Sequence, residues 1–205
     1  KRINTTALIL EPQEIRHAIN QGIPSQFVKE LADLDEFKKA TCYTIRTHRM
    51  LDRDFVTRFI SFYLNNYHEY QPDLDTFMNK SMARLKEVEE SDRVHIKSKF
   101  ILAMTTAYQL FGDDAFRKRF SRDDNRKPIN KALFEVWSVT LAKLTSTEIT
   151  YLVNNKDQLI DGFIHLLNND VAFLNALSSG TSDRTRVVKR FTAIESLVKK
   201  TIAND

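Results

Sequence analysis

Asp52-Arg53-Asp54-Phe55-Val56-Thr57-Arg58-Phe59-Ile60-Ser61-Phe62-Tyr63-Leu64 is the stretch that decides the fold. Phe55, Phe59, Phe62 and Tyr63 recur at helical spacing, and Val56, Ile60 and Leu64 broaden the stripe. An apolar face that wide predicts a helix packed deep in a core rather than one lying on a surface. Arg58 sits inside this run, three residues after Phe55. A guanidinium there is expected to lie along a groove and pair with a carboxylate, Glu14 being one candidate, with a ligand contact as the alternative.

The same period extends in both directions. Downstream, Pro72-Asp73 restarts the chain, and Leu74, Phe77, Met78, Met82, Leu85 and Val88 form the next stripe. The acidic run 87–92 interrupts it, and Ile96, Phe100, Ala103, Met104, Ala107, Tyr108 and Phe111 resume it, so one long helix or two stacked ones both fit; Gly112 ends it. Upstream, Pro12 opens a short helix that stops at Asn20-Gln21-Gly22. Pro24 opens another carrying Phe27, Val28 and Leu31, with Phe37 continuing its apolar set, and residues 41–49 read as a loop.

Residues 113–128 hold ten charged side chains and close on Pro128, which reads as a connector with one helical turn around Phe116 and Phe120. Leu133, Val136, Trp137, Thr140, Leu141 and Leu144 then make a strong helix. Thr145 and Glu148 have the spacing of a capping box. Leu159, Phe163, Ile164 and Leu167, then Phe173, Leu174 and Leu177, continue the series to a turn at 179–182 and a last helix from near Asp183. The expectation is an all-α globular multi-helix bundle of about nine or ten helices. Its expected parts are an N-terminal lobe over 1–112, a basic connector over 113–128 and a C-terminal lobe over 129–205.

Composition agrees with long helices and short connections. Only 4 Gly and 4 Pro occur in 205 residues, too few for the many tight turns of β or Rossmann-type folds. The single cysteine, Cys42, cannot form an internal disulfide, which points to a reducing, cytoplasmic setting. Residues 100–104 are among the longest apolar runs, far short of the roughly 20 needed to cross a membrane. Net charge is +4, and it is uneven: within 93–131 there are ten Lys/Arg against four Asp/Glu.

No motif carries chemistry. The five histidines lack the spacing that places two ligands on one helical face, so no metal is expected. No Gly-x-Ser-x-Gly elbow and no glycine-rich phosphate loop is present, so no catalytic residue and no cofactor is assigned. The basic residues Arg117, Lys118, Arg119, Arg122, Arg126 and Lys127, and a second cluster of Arg184, Arg186, Lys189 and Arg190, are the candidates for nucleic acid. The competing reading is a solubilising loop, since Asp113, Asp114, Asp123 and Asp124 dilute the field. The second cluster places cations near a helix start, where the dipole disfavours them.

The opening Arg2-Ile3-Asn4-Thr5, then Leu10, then Gln13-Glu14-Ile15-Arg16 resembles the segment that leaves the N-terminal domain in the family called domain of unknown function 262. These are the GmrSD-type, ParB-like restriction proteins of bacterial phage defence. Arg49-Met50 with Asp52, Leu74 with Phe77-Met78-Asn79, Ile129 through Glu135, and Ser179-Gly180-Thr181 are further points of similarity. Thr6 and Ala7 stand where that family usually has two glycines. The resemblance implies that this is the non-catalytic helical region after a ParB-like domain, with residues 1–10 the exit of that upstream domain and the chain a piece of a longer protein. The family's suspected nucleotide-hydrolysing motif, Asp-Gly-Gln-Gln-Arg, is missing here, as is its nuclease domain. Arg2, Asn4, Thr5, Glu14 and Arg16 would lie nearest any shared nucleotide site. Expected partners are that upstream domain and double-stranded DNA, with self-association open and no membrane. The alternative is a helical protein-interaction module without a nucleic-acid role.

Overall fold

The computed structural model describes residues 9–203. Its helices, in chain order, are α1 (Pro12–Ile19), α2 (Ile23–Asp33), α3 (Asp35–Ala40), α4 (Leu51–Leu64), α5 (Leu74–Leu85), α6 (Glu90–Phe111), α7 (Lys131–Ala142), α8 (Ser146–Asn154), α9 (Lys156–Asn169), α10 (Val171–Ala176) and α11 (Arg184–Ala203). Among the described residues no strand forms, only an isolated bridge between Arg117 and Ile129. The fold is the expected all-α bundle. The count rises to eleven because α3 and α10, six residues each, are separate helices and not continuations of their neighbours.

The organising element is α7. Every residue from 132 to 142 is buried, including Glu135, Ser138 and Thr140. A helix buried on every side has no solvent face to offer, so the rest of the chain closes around it. It starts cleanly because the Asn130 side chain accepts from the Leu133 N–H at 2.9 Å and donates to the Leu177 carbonyl at 2.8 Å. Helices α4, α6 and α11 lie against it. The Phe134 ring meets Phe37 of α3, Phe55 of α4 and Phe116, with centroids 4.8 to 5.9 Å apart. Trp137 meets Phe111 of α6 and Phe163 of α9 at 4.9 and 5.5 Å.

These contacts join the two expected lobes through one core. One hydrophobic core runs from Phe27 to Val198, and the ring contacts of α7 reach both sides of the supposed boundary. Residues 113–128 cross the surface of that core instead of separating two. The helical turn expected around Phe116 is also absent. Phe116 has φ +61°, outside helical space, and its ring is buried edge-on against Phe134. The acidic run 87–92 does break the stripe, giving two helices, α5 and α6, and Gly112 ends the second with φ +54°. The Thr145–Glu148 capping box forms as its spacing predicts. No described helix is long and apolar enough to cross a membrane.

Candidate functional site

A cleft of about 540 Å³ opens where α1, α4, α5 and α7 meet the turn at 179–182. Its floor is built on buried charge. Glu135, 1% exposed, is the one acidic residue of α7 and is shared by two guanidinium groups. Arg58 of α4 donates through Nη1 to Oε1 at 2.5 Å, and Arg190 of α11, fully buried, donates to Oε2. Arg58 also donates through Nε to Asp54 Oδ2 at 3.0 Å, one helical turn earlier. Lys131, the first residue of α7, reaches the same oxygen at 2.8 Å. Arg16 of α1 lies 3.9 Å from Asp54 and donates to Asp75 at 2.5 Å and to the Gln13 side-chain oxygen. A chain of ion pairs thus ties α1, α5, α4, α7 and α11 together.

The electrostatics follow from that arrangement. Burial works against the Asp54 carboxylate, but Arg58 and Lys131 outweigh it and hold the group below the ordinary carboxylate range. Burial likewise works against the Arg58 charge, and Glu135 with Asp54 more than reverses it, so this guanidinium stays protonated at any working pH. For Arg16 burial prevails over Asp54 and Asp75, and its value falls.

At the rim, Arg49 clasps the start of the described chain. Its Nη2 donates to Glu14 Oε2 at 2.9 Å and to the Ile9 carbonyl, and Nη1 lies 3.4 Å from Glu11. The hydrogen bond from Arg49 lowers the Glu14 carboxyl. Arg49 and Met50 both have left-handed backbone, φ +54° and +59°. Non-glycine residues adopt that conformation at a cost and keep it where surrounding contacts over-determine it, as the clasp does here.

The sequence-based candidates divide. Glu14 and Arg16 do stand beside this cleft, whereas Arg2, Asn4 and Thr5 lie outside the described residues. Arg58 is the structural ion pair expected, but its partners are Asp54 and Glu135 and not Glu14, which is occupied by Arg49. The ten basic candidates all have intramolecular partners. Arg117, 5% exposed, donates to the Lys127 and Asp113 carbonyls, and Arg190 is sealed against Glu135, so neither presents a cation to a phosphate backbone. Arg119, Arg122, Arg126, Lys127 and Lys189 pair with Asp114, Asp157 and Asp161, Asp113, Asp124 and Asp170. Lys118 donates to Ser178, Arg184 to the His68 carbonyl and Arg186 to Ser179. The dipole conflict at the start of α11 is relieved by Asp183, whose carboxylate accepts from the Thr185 and Arg186 N–H groups.

The sequence reading gives no site role to Gln13, Asp54, Asp75, Lys131, Glu135 or Ser182, although Gln13, Lys131 and Glu135 fall within the stretches that carry the resemblance. Only Asp54 carried a local signal, four residues before Arg58. A larger open groove of about 790 Å³ between α9 and α11 has its Lys189 and Asp170 paired to each other at 2.6 Å. Among the described residues no three His, Cys, Asp or Glu side chains gather as a metal site. Compared with known proteins, the chain matches no family model, no curated protein and no solved structure.

Proposed function

We propose that this chain is a non-catalytic helical scaffold that docks a partner domain along α1. In the terms of the resemblance, that partner is the ParB-like domain of a restriction-type bacterial defence protein. The observation that carries the reading is an apolar stripe. Ile9, Leu10, Ile15, Ile19 and Ile23 run along α1 and its two ends, and each is between 44% and 84% exposed. Leu10 and Ile15 occupy the positions before and after the cap that usually staple a helix start, and Ile19 follows Ile15 on the same face. Single exposed apolar residues are ordinary, but five in one short segment mark a surface meant to be covered. The stripe lies on the same helix as Pro12 and Gln13, which line the cleft.

The DNA-contacting variant of this reading draws less support, because its ten cations are already partnered. The same stripe favours the second reading, an interaction module without a nucleic-acid role. The test is to express the residues encoded ahead of Lys1 as a separate chain and titrate them into this one. Association weakened roughly 10-fold or more by Ile15→Asp with Ile19→Asp supports the proposal. If no ParB-like domain is encoded there, the family reading is refuted and the interaction-module reading stands alone.

A further inference from the structure

We propose that α1 is a hinged strap, held shut by ion pairs instead of by the core, which opens without unfolding of the bundle and uncovers the cleft. The observation behind it is an inverted amphipathic helix. A surface helix ordinarily turns its apolar face inward. In α1 the buried residues are Gln13 and Arg16, with Asn20 buried at the C-cap, while Ile15 and Ile19 are 47% and 59% exposed. Every other helix places side chains in the hydrophobic core; α1 places none, either in the core or packed against it.

What holds α1 down is polar. Arg16 reaches Asp75 of α5 at 2.5 Å and Asp54 of α4 at 3.9 Å, and Arg49 reaches Glu14 at 2.9 Å and Glu11 at 3.4 Å. The Asp75 and Glu11 side chains are more than half exposed, so their pairs are open to screening by salt. The shut position also strains against itself. Arg16 Nε is sealed from solvent without an acceptor, and water would supply one on opening. Burial of that guanidinium outweighs the support its charge receives from Asp54 and Asp75.

The geometry sets which end moves. The Ser25 hydroxyl donates to the Asn20 carbonyl at 2.5 Å and lies 3.3 Å from the His17 carbonyl, tying the C-terminal end of α1 to α2. Gly22, with φ +83°, supplies the joint between them. A Cβ there would meet no atom within 4 Å, so glycine serves the backbone angle and not a close approach. At the opposite end Glu11, Pro12 and Gln13 form one wall of the cleft, which Leu51 and Leu74 also line. An eight-residue helix does not persist alone in water, so opening and melting of α1 are one event. The inference uses only contacts within the chain. Its failure would leave docking along α1 standing, and failure of docking would leave the strap.

The test is amide hydrogen exchange of the 205-residue chain alone, at about 20 mM and about 500 mM sodium chloride. The amides of residues 16–20 should share one protection factor, at least about 100-fold below that of α7. High salt should speed their exchange roughly 3- to 10-fold and leave α7 unchanged. Asp75→Asn keeps the shape of a half-exposed side chain but removes its charge from Arg16. It should speed exchange of those amides about 10-fold and reduce the salt response. Ile15→Ala with Ile19→Ala, on the outward face, should leave their exchange within about 3-fold of the parent. Hydroxyl-radical labelling of Leu51 and Leu74 should rise in Asp75→Asn as the cleft is uncovered. Equal protection in α1 and α7, exchange indifferent to both salt and Asp75→Asn, a loss of protection extending to α7 in that variant, or unchanged leucine labelling overturns the proposal.

Discussion

Replacing Glu135 with Gln isolates the ion network that holds this bundle together. The parent carboxylate is 1% exposed and receives Arg58 on one oxygen and Arg190 on the other. Glutamine keeps one acceptor oxygen but turns an amide N–H₂ toward the second guanidinium and removes the charge that both arginines were desolvated to meet. Whichever guanidinium meets the amide N–H₂ loses that contact, so that either Arg190, fully buried, keeps only the Thr181 carbonyl or Arg58 keeps only Asp54. Removing one partner of a buried pair costs about 3–5 kcal/mol, chiefly through the uncompensated charge left behind. For a chain of this size that corresponds to a fall in Tm of roughly 6–20 °C. Urea unfolding followed by circular dichroism at 222 nm reads the loss directly. A double-mutant cycle with Arg190→Met sharpens it. Since Arg190→Met removes the stranded charge, the double variant should be more stable than the sum of the single losses predicts, by about 1–3 kcal/mol. A Glu135→Gln variant within about 1 kcal/mol of the parent, or strict additivity in the cycle, would refute the claim that charge pairing through α7 couples α4 to α11.

Other outcomes follow from the same structure. Asn130→Ala removes both the cap of α7 and the tie to Leu177, and should cost about 1–2 kcal/mol in urea unfolding. Asp54 has its folded value depressed, so its stabilisation is present above the unfolded value of about 3.9 and is lost as pH falls through the folded one. Tm should therefore hold from neutral pH to about 4.5 and decline below it, and a decline beginning near pH 6 would contradict this assignment. Tyr67 and Tyr70 are pushed up to about 12, by burial first and then by the nearby carboxylates of Glu195 and Glu135. Their contribution persists below the unfolded value of about 10 and is lost as pH rises through the folded one, and absorbance at 295 nm should show two tyrosines ionising late. Lys118→Glu with Arg126→Glu and Lys127→Glu should weaken any duplex-DNA affinity no more than the same charge change made elsewhere on the surface; a steeper loss restores the DNA-contacting reading.

What the sequence disclosed was periodic or local. The Phe55–Tyr63 stripe, the break at 87–92 and the Thr145–Glu148 box each depend on residues within a turn or two of one another, and each appears as read. Failures came where a partner lay far along the chain. Nothing near Arg58 pointed to Glu135, 77 residues on, and nothing near Arg122 to Asp157 and Asp161 on α9. Of the connector cations, Arg119, Arg126 and Lys127 pair within the segment, with Asp114, Asp113 and Asp124, whereas Arg122 and Lys118 find partners that lie far along the chain. Asp54, four residues before Arg58, was legible and was passed over for the more distant Glu14. The core shared by both halves was not legible for a related reason: a polar, charged segment of some sixteen residues reads as a linker, yet α7, buried on every side, is covered by both halves of the chain.

The central claim, a scaffold docked along α1, is tested most directly by amide hydrogen exchange on this chain, alone and joined to the residues encoded before Lys1. The account predicts added protection concentrated at residues 9–23, with the 117–127 segment unchanged. Unaltered exchange at 9–23 in the joined protein, or protection appearing only at 117–127 when duplex DNA is added, would contradict it.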